Sequence, residues 1–347
     1  MTEPNPRSRR RGRLPEDTDR QTAQFADSSA HRHKSSGLIL LLAGLAAGVL
    51  LGYGIKTMAD RSAASHRKPQ PVLTEEEKMD GIRTSLEQGT SVMTTLRKYF
   101  REYIVMYHKD GYKFIPIDQS MKLHDYSSEN VRKLEDGEWQ YMKNNKVISH
   151  KGIDVSSHQG EIDWAQVAGS NVEFAIIRAL YRGYESGKLV EDTKFRANIE
   201  GAQANGIDTG VYVFTQAVNK EEVEEEVALL EELLGSYDFK GPVVVDVEET
   251  ADGTGRMDLL SVEERTELVL HYCELIKKAG YKPMLYYNIE AAMFMLDLKQ
   301  LEGIDKWFAT YTSEFYFPYA YTYWQYSDKG SVPGITGNVD MDIRFGK

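Results

Sequence analysis

The sequence has little of what several common kinds of site require. It contains a single cysteine, Cys273, which excludes an intramolecular disulfide and a zinc site built from several cysteines. It lacks the glycine-rich loops that bind nucleotides and the G-x-S-x-G turn of serine hydrolases. Two of its histidines, His158 and His271, have no partner at the spacing of a metal site. We therefore expect no cofactor and no bound metal.

Positive charge is scarce in the C-terminal part of the chain. From Gly152 to the end there are 17 Lys and Arg against 34 Asp and Glu, whereas the whole chain of 347 residues has a net charge of -11. The residues before Gly152 are therefore net positive. An acidic C-terminal region argues against a nucleic-acid partner, because binding to phosphates depends on clustered Lys and Arg.

One long uncharged run lies near the N-terminus. Residues 37–55, GLILLLAGLAAGVLLGYGI, would form a helix about as long as a bilayer core is thick. We interpret this run as a single transmembrane helix. A cleaved signal peptide is the alternative, although the run is longer than the usual signal-peptide core. Residues 1–36 include RSRRRGR and few large apolar side chains, and we expect them to form a disordered cytoplasmic tail.

Residues 56–149 are predicted to form a stalk or linker. From residue 74 to about residue 107 the apolar positions follow a helical spacing, which predicts one helix with a single apolar stripe. These positions are Met79, Ile82, Leu86, Val92, Leu96, Phe100 and Ile104. Between residues 110 and 150, short apolar runs are interrupted by Asp-Gly pairs, a pattern typical of small hairpins.

After residue 150, strand-like and helix-like segments alternate up to the C-terminus. Eight strands are predicted, at residues 152–155, 173–179, 209–214, 242–247, 283–287, 306–309, 321–326 and 339–343. Each of the first five is followed by a helical stretch, and two of these helices should end at Gly206 and Gly280. Alternating strands and helices imply parallel pairing, and eight strands favour an α/β fold closed into a barrel over residues 150–347.

The fourth predicted strand ends in two acidic residues. In GPVVVDVEE, the side chains of Val244, Asp246 and Glu248 share one face, because successive side chains alternate along a strand. Two carboxyl groups at a barrel mouth suit glycoside hydrolysis, in which one protonates the leaving oxygen and the other stabilises positive charge at the anomeric carbon. The same spacing also fits two surface carboxylates that cap a loop.

Two further acids and several aromatic residues are expected at the same end of the barrel. Asp154 ends the first strand and Asp340 begins the last, and these strands are neighbours in a closed barrel. Aromatic rings at strand ends can stack on the apolar faces of sugars, although each ring taken singly is more often part of a core. The aromatic candidates for substrate binding are Tyr181, Tyr212, Phe214, Tyr287 and Trp324.

Three segments of the chain together resemble one enzyme family. GIDVSSHQGEIDW, the pair DVE after a valine-rich strand, and WQYSDKGSVPGITGNVDMD resemble glycoside hydrolase family 25, the Chalaropsis-type lysozymes. The resemblance covers about residues 152–345. It implies a (β/α)5β3 TIM-like barrel and cleavage of the β-1,4 bond between N-acetylmuramic acid and N-acetylglucosamine in peptidoglycan.

The resemblance also implies roles for individual residues. Glu248 would be the general acid, Asp246 would position or polarise the acetamido group of the substrate, and Asp154 and Asp340 would support them. The acetamido group of the substrate, as well as an enzyme carboxylate, is then a candidate nucleophile.

Two positions differ from the pattern that many family members share. Arg178 is followed by ALYRGYESG where many members have a Lys-x-Ser/Thr-Glu stretch, and we take Arg178 as a candidate contact to the sugars. Asp342 replaces an Asn of many members. We expect this second change to affect a hydrogen bond that closes the barrel more than it affects the chemistry.

Three hypotheses of function follow from these observations. The first is a membrane-anchored muramidase that acts on peptidoglycan glycan strands, with the barrel outside the cell membrane because peptidoglycan lies there. The second is a non-catalytic wall-binding or scaffold protein that kept the barrel and its groove, and the presence of all four acids argues against it. A barrel glycosidase acting on a chitin-like polymer would not explain GIDVSSHQG and NVDMD.

Overall fold

The computed structural model describes residues 73–135 and 137–346. The tail predicted at residues 1–36 and the transmembrane helix predicted at residues 37–55 lie outside these described residues. Among the residues that are described, no helix is both long enough and apolar enough to cross a membrane.

The described chain begins with two helices and a hairpin. Helix α1 spans Glu75–Glu87 and helix α2 spans Val92–Tyr99. The hairpin pairs strand β1 (Tyr103–His108) with strand β2 (Gly111–Pro116). The prediction of one continuous helix from residue 74 to about residue 107 is therefore wrong.

The helix is interrupted for local reasons that the apolar spacing did not reveal. Gly89 has a φ of 80°, a left-handed conformation that ends α1. Ser91 starts a new helix by accepting a hydrogen bond from the backbone N–H of Thr94 at 3.1 Å. Ile104 lies in β1, where the sequence YIVMYH is rich in the β-branched and aromatic residues that favour strands.

A small three-stranded sheet follows, in the region where hairpins are predicted. It consists of β3 (Val131–Lys133), β4 (Trp139–Lys143) and β5 (Lys146–Val147), all antiparallel. Asn144 and Asn145, between β4 and β5, have φ values of 52° and 57°. Two consecutive left-handed residues form the turn that matches the twist of a two-residue hairpin.

All eight predicted barrel strands are present. The strands of this sheet are β6 (Ser149–Val155), β7 (Phe174–Arg182), β8 (Leu189–Glu191), β9 (Asp208–Phe214), β10 (Pro242–Asp246), β11 (Lys282–Tyr287), β12 (Asp305–Ala309), β13 (Tyr323–Gly330) and β14 (Val339–Phe345). Their order is β6-β14-β13-β12-β11-β10-β9-β7, and the pairing of β7 with β6 closes the ring. The short β8 pairs only with the end of β7. All barrel pairings are parallel except those of β14, which is antiparallel to both neighbours.

Helices follow the first five barrel strands, as predicted. They are α3 (Trp164–Gly169), α4 (Phe195–Ala204), α5 (Lys220–Leu234), α6 (Val262–Lys278) and a π-helical turn at Ala291–Met295. Gly206 and Gly280 lie just beyond α4 and α6 with φ values of 73° and 89°, as expected for glycines that end helices.

The two faces of the strands bury different sets of side chains. Val243, Val245 and Val247 point outward into the layer between the sheet and the helices. Val244 points into the barrel, as the alternation of β10 predicts. The inner cluster consists of Phe174, Ile176, Val244, Met284, Tyr286, Trp307, Ala309 and Tyr323. This inner packing fills the barrel below the end at which Asp246 lies.

The segment predicted to be a stalk packs against the strands that close the barrel. The ring of Tyr126 stacks on Phe345 with centroids 4.0 Å apart, and its hydroxyl donates to the carbonyl of Tyr321 at 2.7 Å. Trp139 stacks on Tyr326 with centroids 5.1 Å apart. These contacts attach the small sheet to β13 and β14, so residues before the barrel contribute to its stability.

A substitution at Tyr126 tests this packing. We expect Tyr126→Ala to lower the free energy of unfolding by about 2 to 4 kcal/mol, because a stacked ring and a hydrogen bond are lost. The control is Tyr107→Ala, which truncates a hairpin tyrosine that is 55% exposed and should change stability by less than about 1 kcal/mol. Urea unfolding followed by tryptophan fluorescence measures both. Equal, small effects of the two variants would mean that this segment does not support the barrel.

Candidate active site

The structure brings the four acids predicted from the sequence to one end of the barrel. Asp246 is the last residue of β10, and Glu248 lies two residues beyond it. Asp340 lies directly opposite Asp154 in the pairing of β14 with β6. Because β14 runs antiparallel to β6, the start of β14 reaches the same edge as the carboxyl ends of the parallel strands.

Asp246 and Glu248 form a closely coupled pair of carboxyl groups. Burial, together with repulsion by Glu248, raises the pKa of Asp246 well above its usual range, and the charge of Arg178 opposes this rise. Burial likewise raises the pKa of Glu248 to about 7, while hydrogen bonds to Asp246 and Asn288 limit the rise. At neutral pH this pair therefore holds a proton close to the barrel mouth.

The pKa values of the other two acids, Asp154 and Asp340, are also raised. Burial and repulsion by Asp340 and Asp342 raise the pKa of Asp154 well above its usual range, although a hydrogen bond from Gln325 lowers it. Burial and repulsion by Asp328 raise the pKa of Asp340 to about 6. Several carboxyl groups in one poorly solvated site cannot all ionise at the same pH.

A chain of hydrogen bonds that the sequence analysis missed supports Asp154. Gln325 donates from Nε2 to Oδ2 of Asp154 at 2.7 Å. Its Oε1 accepts hydrogen bonds from the hydroxyls of Tyr286 at 3.0 Å and Tyr311 at 3.1 Å. The alternation of β11 and β13 was the available signal, because Tyr286 and Gln325 occupy inward positions near the strand ends.

Four of the six predicted substrate-binding residues lie near these acids. Tyr212 packs against the inner cluster. Burial raises its pKa well above the usual range, and the charges of nearby acids add to the rise; these are Asp154, Asp246 and Asp340. Phe214 is half-buried and pairs with Asp246 in register. Tyr181, opposite Phe214 on the next strand, also lies at this edge.

Arg178 is the fourth of these residues, and it is held in place by its own partners. Its Nε donates to Asp192 at 2.7 Å, and its terminal Nη2 donates to the hydroxyl of Ser157 at 3.1 Å. Its guanidinium also lies 5.1 Å from the ring centre of Tyr181. Arg178 therefore places a fixed positive charge beside Asp246.

Tyr287 and Trp324 do not lie in the barrel mouth, so their prediction as sugar-binding residues is wrong. Tyr287 is 1% exposed and packs against Phe308 and Phe317 in the outer core. Trp324 is fully buried, and its indole N–H donates to the carbonyl of Thr310 at 2.8 Å. Both residues occupy outward positions, and the neighbouring Tyr286 and Gln325 occupy the inward ones.

The hairpin of β1 and β2 reaches the loop that carries Glu248. Lys109, at the hairpin turn, forms an ion pair with Glu249 at 3.3 Å. His108 stacks on Phe294 with ring centroids 4.0 Å apart. A cavity of about 160 Å³ lies between the hairpin and this loop. The rim beside the acids is thus partly built from residues that precede the barrel.

A larger cavity of about 470 Å³ lies between the loop after β6 and the loop before β14. Its lining residues are Glu161, Ile162, Asp163, Gln166, Gly334, Ile335 and Thr336. None of the four acids lines this cavity, so cavity size does not locate the chemistry here. Among the described residues, no group of three or more His, Cys, Asp and Glu side chains is arranged to hold a metal ion.

The family model for glycosyl hydrolases family 25 matches residues 153–335, more than half of the chain. This chain belongs to glycoside hydrolase family 25. An uncharacterised Escherichia coli K12 protein, YegX, is 31% identical over 204 residues, which cover 55% of this chain and 68% of YegX. Lysozyme M1 of Streptomyces globisporus is 27% identical over 204 residues, which cover 55% of this chain and 66% of that protein. An autolytic lysozyme of Clostridium acetobutylicum is 27% identical over 194 residues, covering 55% of each chain.

Solved structures with a similar arrangement include a family 25 glycosyl hydrolase from Bacillus anthracis. It is 24% identical, with a TM-score of 0.46, and the match covers 60% of this chain and 93% of that chain. The autolysin LytC of Streptococcus pneumoniae is 24% identical, with a TM-score of 0.49, over 70% of this chain and 56% of that chain.

The buried acids predict how the stability of this family 25 barrel depends on pH. A carboxyl group whose pKa is raised by folding binds more protons in the folded state, so stability is greatest at low pH and falls as the pH rises through the folded pKa. For Asp340 the window runs from the usual value of 3.8 to about 6. We expect Asp340→Asn to remove up to about 3 kcal/mol of this pH dependence. Urea unfolding at pH 4 and pH 7 measures it.

The matched control is Asp238→Asn, which neutralises an acid on the surface that is paired with Lys240. This control should leave the difference between the two pH values unchanged. A wild-type protein that is more stable at pH 7 than at pH 4 would contradict the expected protonation of the site.

Proposed function

We propose that this protein is a lysozyme, or N-acetylmuramidase, that cleaves the β-1,4 bond between N-acetylmuramic acid and N-acetylglucosamine in peptidoglycan. Its family membership and its similarity to two proteins named as lysozymes support this substrate. The observation that carries the proposal is the pair of Asp246 and Glu248, which holds a proton at neutral pH at the mouth of a closed barrel.

In this proposal Glu248 acts as the general acid. A pKa of about 7 allows its carboxyl group to remain largely protonated up to neutral pH and still lose the proton during the reaction. It transfers that proton to the glycosidic oxygen as the bond to the anomeric carbon breaks. Asn288, which donates to Oε2 of Glu248 at 3.4 Å, orients the carboxyl group.

Asp246 acts on the acetamido group of the sugar. Its Oδ1 is buried and receives no hydrogen bond from an amide or hydroxyl group of the described residues, so a substrate amide N–H that reached it would supply the missing donor. The acetamido oxygen then attacks the anomeric carbon as the leaving oxygen takes the proton of Glu248. Water opens the resulting ring and returns a proton to Glu248, which restores the starting state.

Aromatic residues at the mouth would bind the sugar rings. Tyr181, Tyr212 and Phe214 lie on two adjacent strands at the edge where the acids are found. Tyr311 is 53% exposed, and its hydroxyl is held by Gln325. An exposed ring that is fixed by a hydrogen bond offers a rigid apolar surface to a sugar.

Substitution of Glu248 tests the proposal directly. We expect Glu248→Gln to lower the release of reducing ends from purified peptidoglycan by about 100- to 10,000-fold, because the proton donor is lost while the shape is kept. The matched control is Glu249→Gln, the same change one residue further along, which should keep activity within about tenfold of wild type. Thermal unfolding checks that both variants fold.

Two outcomes would contradict the proposal. Near-normal release of reducing ends by folded Glu248→Gln would exclude Glu248 as the acid. Wild-type protein that binds peptidoglycan and releases no new ends would instead support the non-catalytic wall-binding alternative.

We also propose that the enzyme is anchored in the cell membrane through residues 37–55, with the barrel outside the cell. The uncharged run of 19 residues supports a single span, and the location of peptidoglycan outside the cytoplasmic membrane supports this orientation. The basic segment RSRRRGR would then lie in the cytoplasm near the anionic inner leaflet. Anchoring would restrict cleavage to wall close to the membrane.

Protease protection tests this topology. In intact cells stripped of their wall, added protease should remove the C-terminal barrel and spare a tag at the N-terminus, since only the barrel is exposed. Permeabilised cells, in which both ends should be digested, provide the control. A protected barrel would reverse the topology, and a soluble secreted product beginning after about residue 59 would show that the run is a signal peptide.

A further inference from the structure

Asp342 is a completely buried acid on the inner side of the barrel. Its Oδ1 accepts a hydrogen bond from the indole N–H of Trp307 at 2.8 Å. Its Oδ2 is also buried and receives no hydrogen bond from an amide, amine or hydroxyl group of the described residues. A buried carboxylate oxygen without a donor is costly, so a proton must be held either by Asp342 itself or by a neighbouring group that donates to it.

The strand pairing identifies that neighbour as Asp154. In the register of β14 with β6, Asp342 lies opposite Gly152 and Asp340 lies opposite Asp154. Asp342 and Asp154 are therefore diagonal neighbours on the inner face. Gly152 has no side chain to separate them, and the ring of Phe174 occupies the space that a Cβ of Gly152 would need.

The hydrogen bonds of Asp154 leave one of its oxygens for Asp342. Oδ2 of Asp154 accepts from Nε2 of Gln325. In this arrangement Oε1 of Gln325 accepts from the hydroxyls of Tyr286 and Tyr311, and its Nε2 is directed at Asp154. Asp154 thus has an N–H donor on one side, and on the other side the carboxyl group of Asp342 lies close enough to change its ionisation.

We propose that Asp342 is a positioning residue that accepts a hydrogen bond from the carboxyl group of Asp154 and so keeps Asp154 in its acid form while Asp342 carries the negative charge. This deepens the proposed muramidase function and rests on it for its effect on the reaction. Asp342 therefore does more than adjust a hydrogen bond that closes the barrel, which is what the sequence comparison led us to expect. The closing hydrogen bonds are made by the backbones of β14 and β6.

The surrounding charges favour a proton on Asp154. Asp154 lies directly opposite Asp340, and both Asp340 and Asp342 repel its anionic form. Burial and repulsion by Asp340 raise the pKa of Asp342 well above its usual range, whereas interactions with the N–H of Trp307 and the carboxyl group of Asp154 favour its anion. The other ionisable groups that interact with this part of the site are Arg178, Tyr212, Asp246, Glu248, Tyr286, Tyr311 and Asp328.

A protonated Asp154 limits the negative charge that faces Asp340 and Tyr212. If Asp154 ionised at neutral pH, a further anion would lie directly opposite Asp340, and this end of the barrel would lose a hydrogen-bond donor. Replacing Asp342 by Asn removes a negative charge and presents an N–H to Asp154. Both changes favour the ionised form of Asp154, so it should lose its proton at a lower pH.

Carbon-13 NMR of the full-length chain in detergent micelles, with labelled aspartate carboxyl carbons, tests this directly. One aspartate signal should titrate above the usual range and be absent from Asp154→Asn. In Asp342→Asn that signal should titrate at least about one pH unit lower. Asp238→Asn, which removes an exposed acid that is paired with Lys240, is the matched control and should leave the Asp154 signal unchanged.

The effect on the reaction is read from the pH dependence of kcat/KM on purified peptidoglycan. In Asp342→Asn, activity relative to wild type should fall as the pH rises through the lowered titration of the Asp154 signal, and it should be close to wild type at about pH 5. An equal loss at every pH would indicate a merely structural role and overturn the proposal.

The two measurements separate this proposal from the muramidase assignment. An Asp154 signal that titrates at the same pH in wild type and Asp342→Asn, or that is already ionised at neutral pH in wild type, overturns the Asp342 proposal alone. Absence of activity in wild type overturns the muramidase assignment, and the NMR result still decides whether Asp342 holds Asp154 in its acid form.

Discussion

The pairing of β14 with β6 is the interaction on which the site depends. It closes the barrel, and its register places Asp340 opposite Asp154 and Asp342 opposite Gly152. A slip of one residue would turn all of these side chains to the outer face, because side chains alternate along a strand. The antiparallel direction of β14 is equally necessary, since it brings the start of this strand to the end of the barrel where Asp246 and Glu248 lie.

Closure of the barrel also raises the pKa values of the carboxyl groups at its mouth. The inner cluster excludes water from the floor of the site, so carboxyl groups above it hold protons at a higher pH than they would in solution. The same burial that supplies a proton for bond cleavage makes the folded state less stable as the pH rises. Burial of these acids therefore lowers the free energy of unfolding at neutral pH. The hydrophobic packing of the large outer core offsets this loss.

Residues outside the segment that matches the family model, residues 153–335, also pack against the barrel. Tyr126 and Trp139 pack on the strands that close the barrel, and Lys109 forms an ion pair with the residue next to Glu248. The residues before the barrel thus act on both its closing strands and its rim.

The eight strands, the inward face of β10 and the meeting of four acids at one end of the barrel could be predicted from the sequence alone, because they depend on local alternation and on short motifs. The sequence did not show which residue of each adjacent pair faces the inside of the barrel. Tyr286 and Gln325 do, whereas Tyr287 and Trp324 face the outer core, and strand pairing assigns these faces. The sequence also did not show the break at Gly89 or the hydrogen bond from Trp307 to Asp342. The partners of a buried carboxyl group become visible only in the folded barrel, because they come from strands that are distant in the chain and meet when the barrel closes.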